Sequence, residues 1–262
     1  MNKIVVITGA SSGIGLCLYN MYKEKGDIPI CLARTNDKNL DNFIKCDVSI
    51  EEDIILAFKT IQQQYTNIDI LINNAGFGIS GAIELEKSSI VEHLMNVNFM
   101  GAFLCYKYAL PLMKSGAKII NISSVCALFP IPYRGFYCAS KSALSSISLS
   151  AYMELKNSKI SVVTICPGQT KSNFEKNRIK NMATNERYAD TIESTAKALA
   201  KTEDNNSRMS TDYVAKIILK QSYKKNPKPM KIIGFKYKLF YFAQRILPTR
   251  MFLWFTNKFL GK

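Results

Sequence analysis

Short apolar runs rich in β-branched residues alternate with segments of helical length along most of the chain. The runs are KIVVIT at 3–8, IPICLA at 28–33, FIKC at 43–46, DILI at 69–72, AKIINI at 117–122, ISVVTI at 160–165 and MKIIG at 230–234. Between them the pattern predicts helices over 13–25, 51–65, 88–113 and 136–156. This alternation is typical of an α/β fold with a doubly wound parallel β-sheet and right-handed crossovers.

The chain of 262 residues is long enough for one large α/β domain. We expect this domain to occupy residues 1–234, because no internal repeat or linker divides them. A further helix is expected after Ser210 or Thr211, either of which suits an N-cap. Residues 235–262 form a basic, aromatic C-terminal extension.

The composition argues against a metalloprotein, a secreted protein and a nucleic-acid-binding protein. The seven cysteines contain no CxxC pair and His93 is the only histidine, so we expect a reduced protein without a metal site. The first apolar run has only four residues, too few for a signal peptide core, so a cytoplasmic location is expected. The net charge of +15 is dispersed, with a denser stretch after residue 220, and no DNA- or RNA-binding motif accompanies it. A nucleic-acid partner is therefore not expected.

A glycine-rich turn follows the first predicted strand. TGASSGIG places glycines at 9, 13 and 15 in a GxxxGxG spacing, which differs from the GxGxxG dinucleotide fingerprint. Glycines let the backbone turn sharply and approach a pyrophosphate, and the amides at a helix N-terminus complement its negative charge. At this place in a parallel sheet the turn predicts a dinucleotide site.

The stretch YCASK places Tyr137 and Lys141 one helical turn apart, on the same face of a helix. A nearby ammonium lowers the pKa of a phenol toward the range in which proton transfer is efficient. An aromatic ring resting on a lysine stem is an equally ordinary surface pairing. The five residues alone leave both interpretations open.

Six ordered motifs resemble those of the short-chain dehydrogenase/reductase family, which has a Rossmann fold. They are TGASSGIG at 8–15, NNAG at 73–76, Asn98 within NVNFMGAF, NISS at 121–124, YCASK at 137–141 and PG at 167–168. The resemblance is close over 1–172 and loose beyond. It implies an enzyme that interconverts a carbonyl compound and an alcohol with a nicotinamide cofactor, as a homodimer or homotetramer. The polar stretch at 173–208 takes the place of the family's substrate lid.

The resemblance assigns four catalytic residues. Ser124, thirteen residues before Tyr137, would bind the carbonyl oxygen, and Tyr137 would donate the proton. Lys141 would bind the nicotinamide ribose and tune Tyr137, and Asn98 would hold a water in a proton relay. Ser123 is expected to have a structural role. A catalytically silent dinucleotide sensor remains the alternative, although retention of all four residues argues against it.

The resemblance also assigns the cofactor contacts. They are Gly9, Ser11, Ser12, Gly13, Ile14 and Gly15 in the first turn, Arg34, Asp47 and Val48, Asn74, Ala75 and Gly76, Tyr137 and Lys141, and Pro167, Gly168, Thr170 and Ser172. Asn73 is expected to steady the sheet rather than touch the ligand.

Arg34 bears on which nicotinamide cofactor is used. Ala33 stands where NAD-dependent members carry an aspartate, and Arg34 follows it in CLARTND. A carboxylate would repel the 2′-phosphate of NADP, whereas a guanidinium pairs with it through two hydrogen bonds. We therefore expect NADP(H), with NAD(H) the lesser candidate if Asp37 folds back to the ribose.

The extension has the pattern of a basic, amphipathic, aromatic-rich helix. Apolar residues recur at helical spacing at Leu239, Phe242, Ala243, Ile246 and Leu247, and again at Met251, Phe255 and Phe259. No apolar run approaches the roughly 20 residues that span a bilayer. The helix would either lie on a membrane surface or cover the substrate cleft or a dimer contact. Either arrangement favours a lipophilic substrate.

Overall fold

The computed structural model describes residues 2–172, 174–175, 177–189, 191 and 208–260, without the side chains of 259 and 260. About half of the predicted lid at 173–208 therefore lies outside the described residues, as does the side chain of Phe259.

Within this part of the chain, seven parallel strands form one central sheet. They are β1 Ile4–Thr8, β2 Ile28–Ala33, β3 Phe43–Lys45, β4 Ile68–Asn73, β5 Met113–Ile122, β6 Ser161–Pro167 and β7 Met230–Ile233. Their order across the sheet is β7-β6-β5-β4-β1-β2-β3, and every neighbouring pair is parallel. The prediction of a doubly wound Rossmann sheet is confirmed, and β5 begins four residues before the predicted position.

The described helices lie between and after these strands. They are α1 Gly13–Glu24, α2 Glu51–Gln64, α3 Ser88–Met95, α4 Gly101–Ala109, α5 Gly135–Glu154, α6 Thr211–Tyr223, α7 Phe235–Ile246 and α8 Thr249–Leu260. Ser210 caps α6, since its hydroxyl accepts a hydrogen bond from the Tyr213 amide at 3.1 Å.

The segment predicted to be helical over 88–113 is helical from Ser88 to Leu112, but it is not one α-helix. A π-helical turn at Asn96–Met100 separates α3 from α4. The Asn98 side chain in this turn hydrogen-bonds both backbone groups of Phe77, at 3.0 and 2.9 Å. The wider turn thus accompanies a contact with a distant loop, as π turns at functional sites commonly do.

Both faces of the sheet are buried, which explains why its strands read as nearly continuous apolar runs. Val5 and Ile7 of β1 point to a cluster that includes residues of α1 and α6. Ile4 and Val6 point the other way, to a cluster with α2 and α4. Successive strand residues alternate between faces, so one strand supplies both halves of the core.

The extension folds as two helices, because the chain breaks at Leu247 and Pro248 between α7 and α8. Its inner face is formed by Tyr237 and Phe252, which pack with Val125 and Phe129. Leu247 of the predicted apolar set packs against this cluster, whereas Leu239, Phe242 and Ile246 are exposed. The helical pattern therefore identified only part of the inner face.

No helix in the described ranges is long and apolar enough to cross a bilayer.

Candidate active site

The predicted site residues gather in one cleft of about 870 Å³ beyond the carboxyl ends of the central strands. This is where ligands bind in open parallel sheets. The cleft is lined by Gly9, Ser11, Ser12, Gly13, Ile14, Arg34, Asp47, Val48, Asn74, Ala75, Gly76, Ser124, Tyr137, Lys141, Pro167, Gly168, Thr170 and Ser172. Gly15 and Asn98 are not among the described residues that line it.

The glycine turn leaves room for a ligand that needs close backbone approach. Gly9 and Gly13 have φ values of +66° and +56°, a region that side chains disfavour. The amides at the start of α1 are not covered by a capping side chain, and its first turn has no acidic residue. An anion such as a pyrophosphate fits the N-terminus of α1.

Packing requires a glycine at position 15, and its contact with the cofactor stays a prediction. A β-carbon there would lie 2.5 Å from the Gly9 carbonyl oxygen and 2.6 Å from the Asn74 side-chain nitrogen. That nitrogen donates hydrogen bonds to the carbonyls of Thr8 and Gly9, at 3.0 and 3.1 Å. Asn74 therefore ties the turn after β4 to the turn after β1.

At the end of β2 and β3, Arg34 and Asp47 face the cleft. Partial burial opposes ionisation of Asp47, but hydrogen bonds from Ser49 and the positive charge of Arg34 hold the pKa of its carboxyl below the usual value. Asp37 is bound to Thr35 at 3.2 Å and is absent from the described lining of the cleft. This arrangement favours Arg34 over Asp37 as the residue beside a bound ribose.

Ser124, Tyr137 and Lys141 meet at the other end of the cleft. Ser124 lies two residues after β5, and its hydroxyl accepts a hydrogen bond from the Cys126 amide at 3.1 Å. Ser123 turns inward, where its hydroxyl lies 2.8 Å from that of Ser145 and donates to the Lys141 carbonyl. Both serines line the cleft, but the Ser123 hydroxyl is engaged with α5, whereas the Ser124 hydroxyl proton is not committed to a described hydrogen bond.

Burial dominates the electrostatics of the predicted acid and its neighbour. It raises the pKa of Tyr137 well above its ordinary value, and the opposing effects of Ser124 and Arg134 are smaller. The net shift is therefore upward, and the tuning of this phenol by Lys141 stays a prediction. Burial also lowers the pKa of Lys141 to about 8, so a larger fraction of this side chain is neutral near that pH than for an ordinary lysine. The Lys141 ammonium donates to the Ile122 carbonyl at 2.9 Å.

Asn98 lies behind the wall of the cleft. Besides its two bonds to Phe77, its amide donates to the Ser140 hydroxyl at 3.0 Å. It therefore joins α5 to the loop after β4.

The turn after β6 receives a residue from the extension. The Tyr237 ring covers Gly168, where an added β-carbon would lie 1.8 Å from the ring. The Tyr237 hydroxyl accepts a hydrogen bond from the Gln169 amide at 3.2 Å. The extension thereby contributes directly to the lining of the cleft.

Several residues that line the cleft were not predicted from the sequence. They are Phe77, His93, Cys126, Ile131, Arg134, Phe174, Arg178 and Tyr237, among others. Arg134 lies three residues before Tyr137, so helical spacing could have placed it on the same face of α5. No local signal marks Tyr237, because its contact with Gly168 joins residues far apart in the chain.

Comparison with known proteins identifies close relatives. The family model for short chain dehydrogenase matches residues 3–183. A 3-ketodihydrosphingosine reductase of Bacteroides thetaiotaomicron is 37% identical over 209 residues, 78% of each chain. A probable short-chain type dehydrogenase/reductase of Helicobacter pylori, VdlC, is 31% identical over 98% of this chain and 96% of the relative.

A solved short-chain dehydrogenase from Streptomyces avermitilis has the same fold, with a TM-score of 0.83 at 24% sequence identity. The match covers 94% of this chain and 93% of the chain in that structure. Proteins of this fold have been solved with NADP+, with NAD and with NADH. The fold therefore accommodates either cofactor.

The buried Lys141 generates a prediction about pH and stability. Its native pKa is about 8 against an ordinary value of 10.5, so between these values the native state holds fewer protons than the unfolded state. The free energy of unfolding, relative to Lys141→Met, should then stay flat below about pH 8 and rise by about 3 kcal/mol toward pH 10.5. Denaturant unfolding of both proteins across this range measures the difference. A flat difference throughout would contradict the lowered pKa.

Proposed function

The chain belongs to the short-chain dehydrogenase family, and we propose that it is an NADP(H)-dependent oxidoreductase that interconverts a ketone or aldehyde with an alcohol. The observation that carries this proposal is the convergence of Ser124, Tyr137 and Lys141 in the cleft that also contains the glycine turn. A catalytically silent sensor would not need these three groups beside a dinucleotide site. The free thiols of all seven cysteines fit the expected reducing, cytoplasmic location.

The residues of the cleft suit a nicotinamide dinucleotide. The uncapped start of α1 and the positive-φ glycines would hold its pyrophosphate, and Arg34 would pair with a 2′-phosphate. Lys141 and the turn from Pro167 to Ser172 would hold the nicotinamide half. When bound, the cofactor supplies the hydride that the carbonyl carbon accepts.

The chain's own groups handle the proton and the oxygen. Ser124 donates a hydrogen bond to the carbonyl oxygen, and Tyr137 transfers its phenolic proton to the same atom. Because burial raises the pKa of Tyr137, the phenol is protonated before the reaction, as a proton donor must be. Lys141 opposes the charge left on the phenolate, and Asn98 retains its proposed part in returning a proton through water.

The substrate side of the cleft supports a lipophilic substrate. Its walls include Val125, Ile131, Phe174 and Tyr237, and apolar walls favour apolar ligand surface. The Bacteroides relative is named for the reduction of a keto compound, in agreement with carbonyl chemistry at this site.

The extension supports a further proposal, that its outer face docks on an anionic membrane surface. Phe235, Leu239, Phe242 and Ile246 form one exposed stripe along α7. Asp212 is the last acidic residue, and twelve lysines and arginines follow it. Partial burial and neighbouring lysines lower the pKa of Lys231, which reports the positive field on this side. An apolar stripe within a basic surface complements an anionic bilayer.

Replacement of Tyr137 by Phe tests the catalytic assignment. Removal of the phenolic proton donor should reduce kcat for NADPH-dependent carbonyl reduction about 100-fold or more, with little change in NADPH binding. The decrease in NADPH absorbance with a panel of ketones and aldehydes measures kcat, and NADPH fluorescence measures cofactor binding. Tyr152→Phe on the same helix is the matched control. Turnover close to that of the control would refute the role of Tyr137.

Arg34 should set the cofactor preference. The wild-type protein should use NADPH with a higher kcat/KM than NADH, and Arg34→Gln should reduce that ratio about 10-fold or more by removing a charge-assisted phosphate contact. Kinetics with NADH serve as the internal control. Preference of the wild-type protein for NADH would sink the assignment.

The membrane proposal predicts loss of binding when the stripe is made polar. Phe242→Ser with Ile246→Ser should weaken sedimentation with phosphatidylglycerol vesicles about 10-fold or more, because two inserted apolar side chains are lost. Leu56→Ser with Met153→Ser, two exposed apolar residues elsewhere, is the matched control. Neutral phosphatidylcholine vesicles should bind the wild-type protein more weakly. Equal binding by both double variants would end the proposal.

A further inference from the structure

Arg134 lies in the cleft wall directly before α5, and only 8% of it is exposed. It occupies the N-cap position of α5 and precedes Tyr137 by three residues. Arg134, Tyr137 and Lys141 all line the cleft, in that order along the chain. Arginine side chains are rarely so deeply buried unless they are paired.

The described carboxylates leave the charge of Arg134 unbalanced. Its Nε is buried without a hydrogen-bond partner, and no described carboxylate forms an ion pair with it. The neighbouring Arg178 differs, because it pairs with Glu175. A buried cation without a partner is costly, so this wall of the cleft is suited to an incoming anion.

Arg134 lies on the substrate side of Tyr137. Lys141 and the glycine turn mark the cofactor side. Arg134 is one turn of α5 away in the opposite direction, and its charge acts on Tyr137 and on Cys126. Cys126 packs with Tyr137, Ile131 and Phe174 in an apolar cluster. An anion at Arg134 would thus lie beside the reacting carbonyl and against apolar side chains.

We propose that Arg134 binds a carboxylate of the substrate, so that the enzyme acts on a lipophilic oxo acid or hydroxy acid. This inference rests on the proposed function and specifies its substrate class. In the reaction, hydride joins the carbonyl carbon, a proton joins its oxygen, and the C=O double bond becomes a C–OH single bond. The carboxylate remains unchanged and orients the substrate. A substrate with an ammonium group in this position would be disfavoured.

The Cys126 thiol, when ionised, would compete with a ligand for Arg134. A hydrogen bond from Cys138, together with the charge of Arg134, lowers the pKa of this thiol below its ordinary value despite its burial. If that thiolate were the only partner of Arg134, removal of Arg134 would leave ligand preference unchanged. The same positive field also attracts a carboxylate, so the two alternatives are separated by ligand binding.

The direct test is calorimetric binding of decanoate and of decanamide, a neutral match, to the NADP+-saturated full chain. Wild-type protein should bind decanoate about 10-fold or more tightly than the amide, and Arg134→Gln should abolish this preference while the amide affinity stays the same. Arg134→Lys should retain part of it. Arg187→Gln, at an exposed arginine outside the cleft, is the matched control. Thermal unfolding verifies that each variant is folded.

Equal wild-type affinity for the acid and the amide would overturn the inference, and so would equal loss of both ligands in Arg134→Gln. Reduction of an oxo acid and its methyl ester, followed by NADPH absorbance, separates this inference from the proposed function. Reduction of both at the same kcat/KM would leave the oxidoreductase standing and reject the role of Arg134. Selective carboxylate binding without reduction of any carbonyl compound would support the subsite and reject the proposed function.

Discussion

Close contact between two backbone turns sets the geometry on which the cleft depends. The turn after β1 and the turn after β4 are neighbours because the two strands are adjacent in the sheet. A β-carbon on Gly9 would lie only 3.0 Å from the Ala75 Cα atom. Asn74 bonds across the contact to Thr8 and Gly9. A larger side chain at this contact would push the two turns apart. The dinucleotide end of the cleft would then move away from the catalytic end.

Buried polar contacts then fix α5 against the sheet. Ser145 meets Ser123 at 2.8 Å, Ser140 accepts from Asn98 at 3.0 Å, and Ser148 accepts from Asn121 at 2.8 Å. Each contact would leave an unsatisfied buried group if the helix rotated about its axis. The short serine side chains also permit close packing. Tyr137 and Lys141 are held toward the cleft for this reason, independently of any ligand.

The strands could be predicted to within a few residues because a doubly covered parallel sheet leaves a direct mark on the sequence: most residues of the central strands are buried, as in β1, where all five are. Residues after those strands could be assigned by resemblance, and most of them line the cleft. The π turn at Asn98 could not be predicted in this way, because the contact that it accompanies is with Phe77, 21 residues away. The raised pKa of Tyr137 was also missed, since burial depends on packing that local spacing does not describe.

The substrate side of the cleft combines a family motif with residues outside any motif. Gly168 belongs to the motif after β6, but the Tyr237 ring that covers it belongs to the extension. Gly234, directly before α7, also makes room for that ring. Tyr237 faces the cleft while the stripe from Phe235 to Ile246 faces outward. One helix thus contributes both to the substrate wall and to the exposed apolar surface. An amphiphile with a carboxylate and an apolar chain suits this arrangement, because the first group needs the charge of Arg134 and the second needs apolar walls.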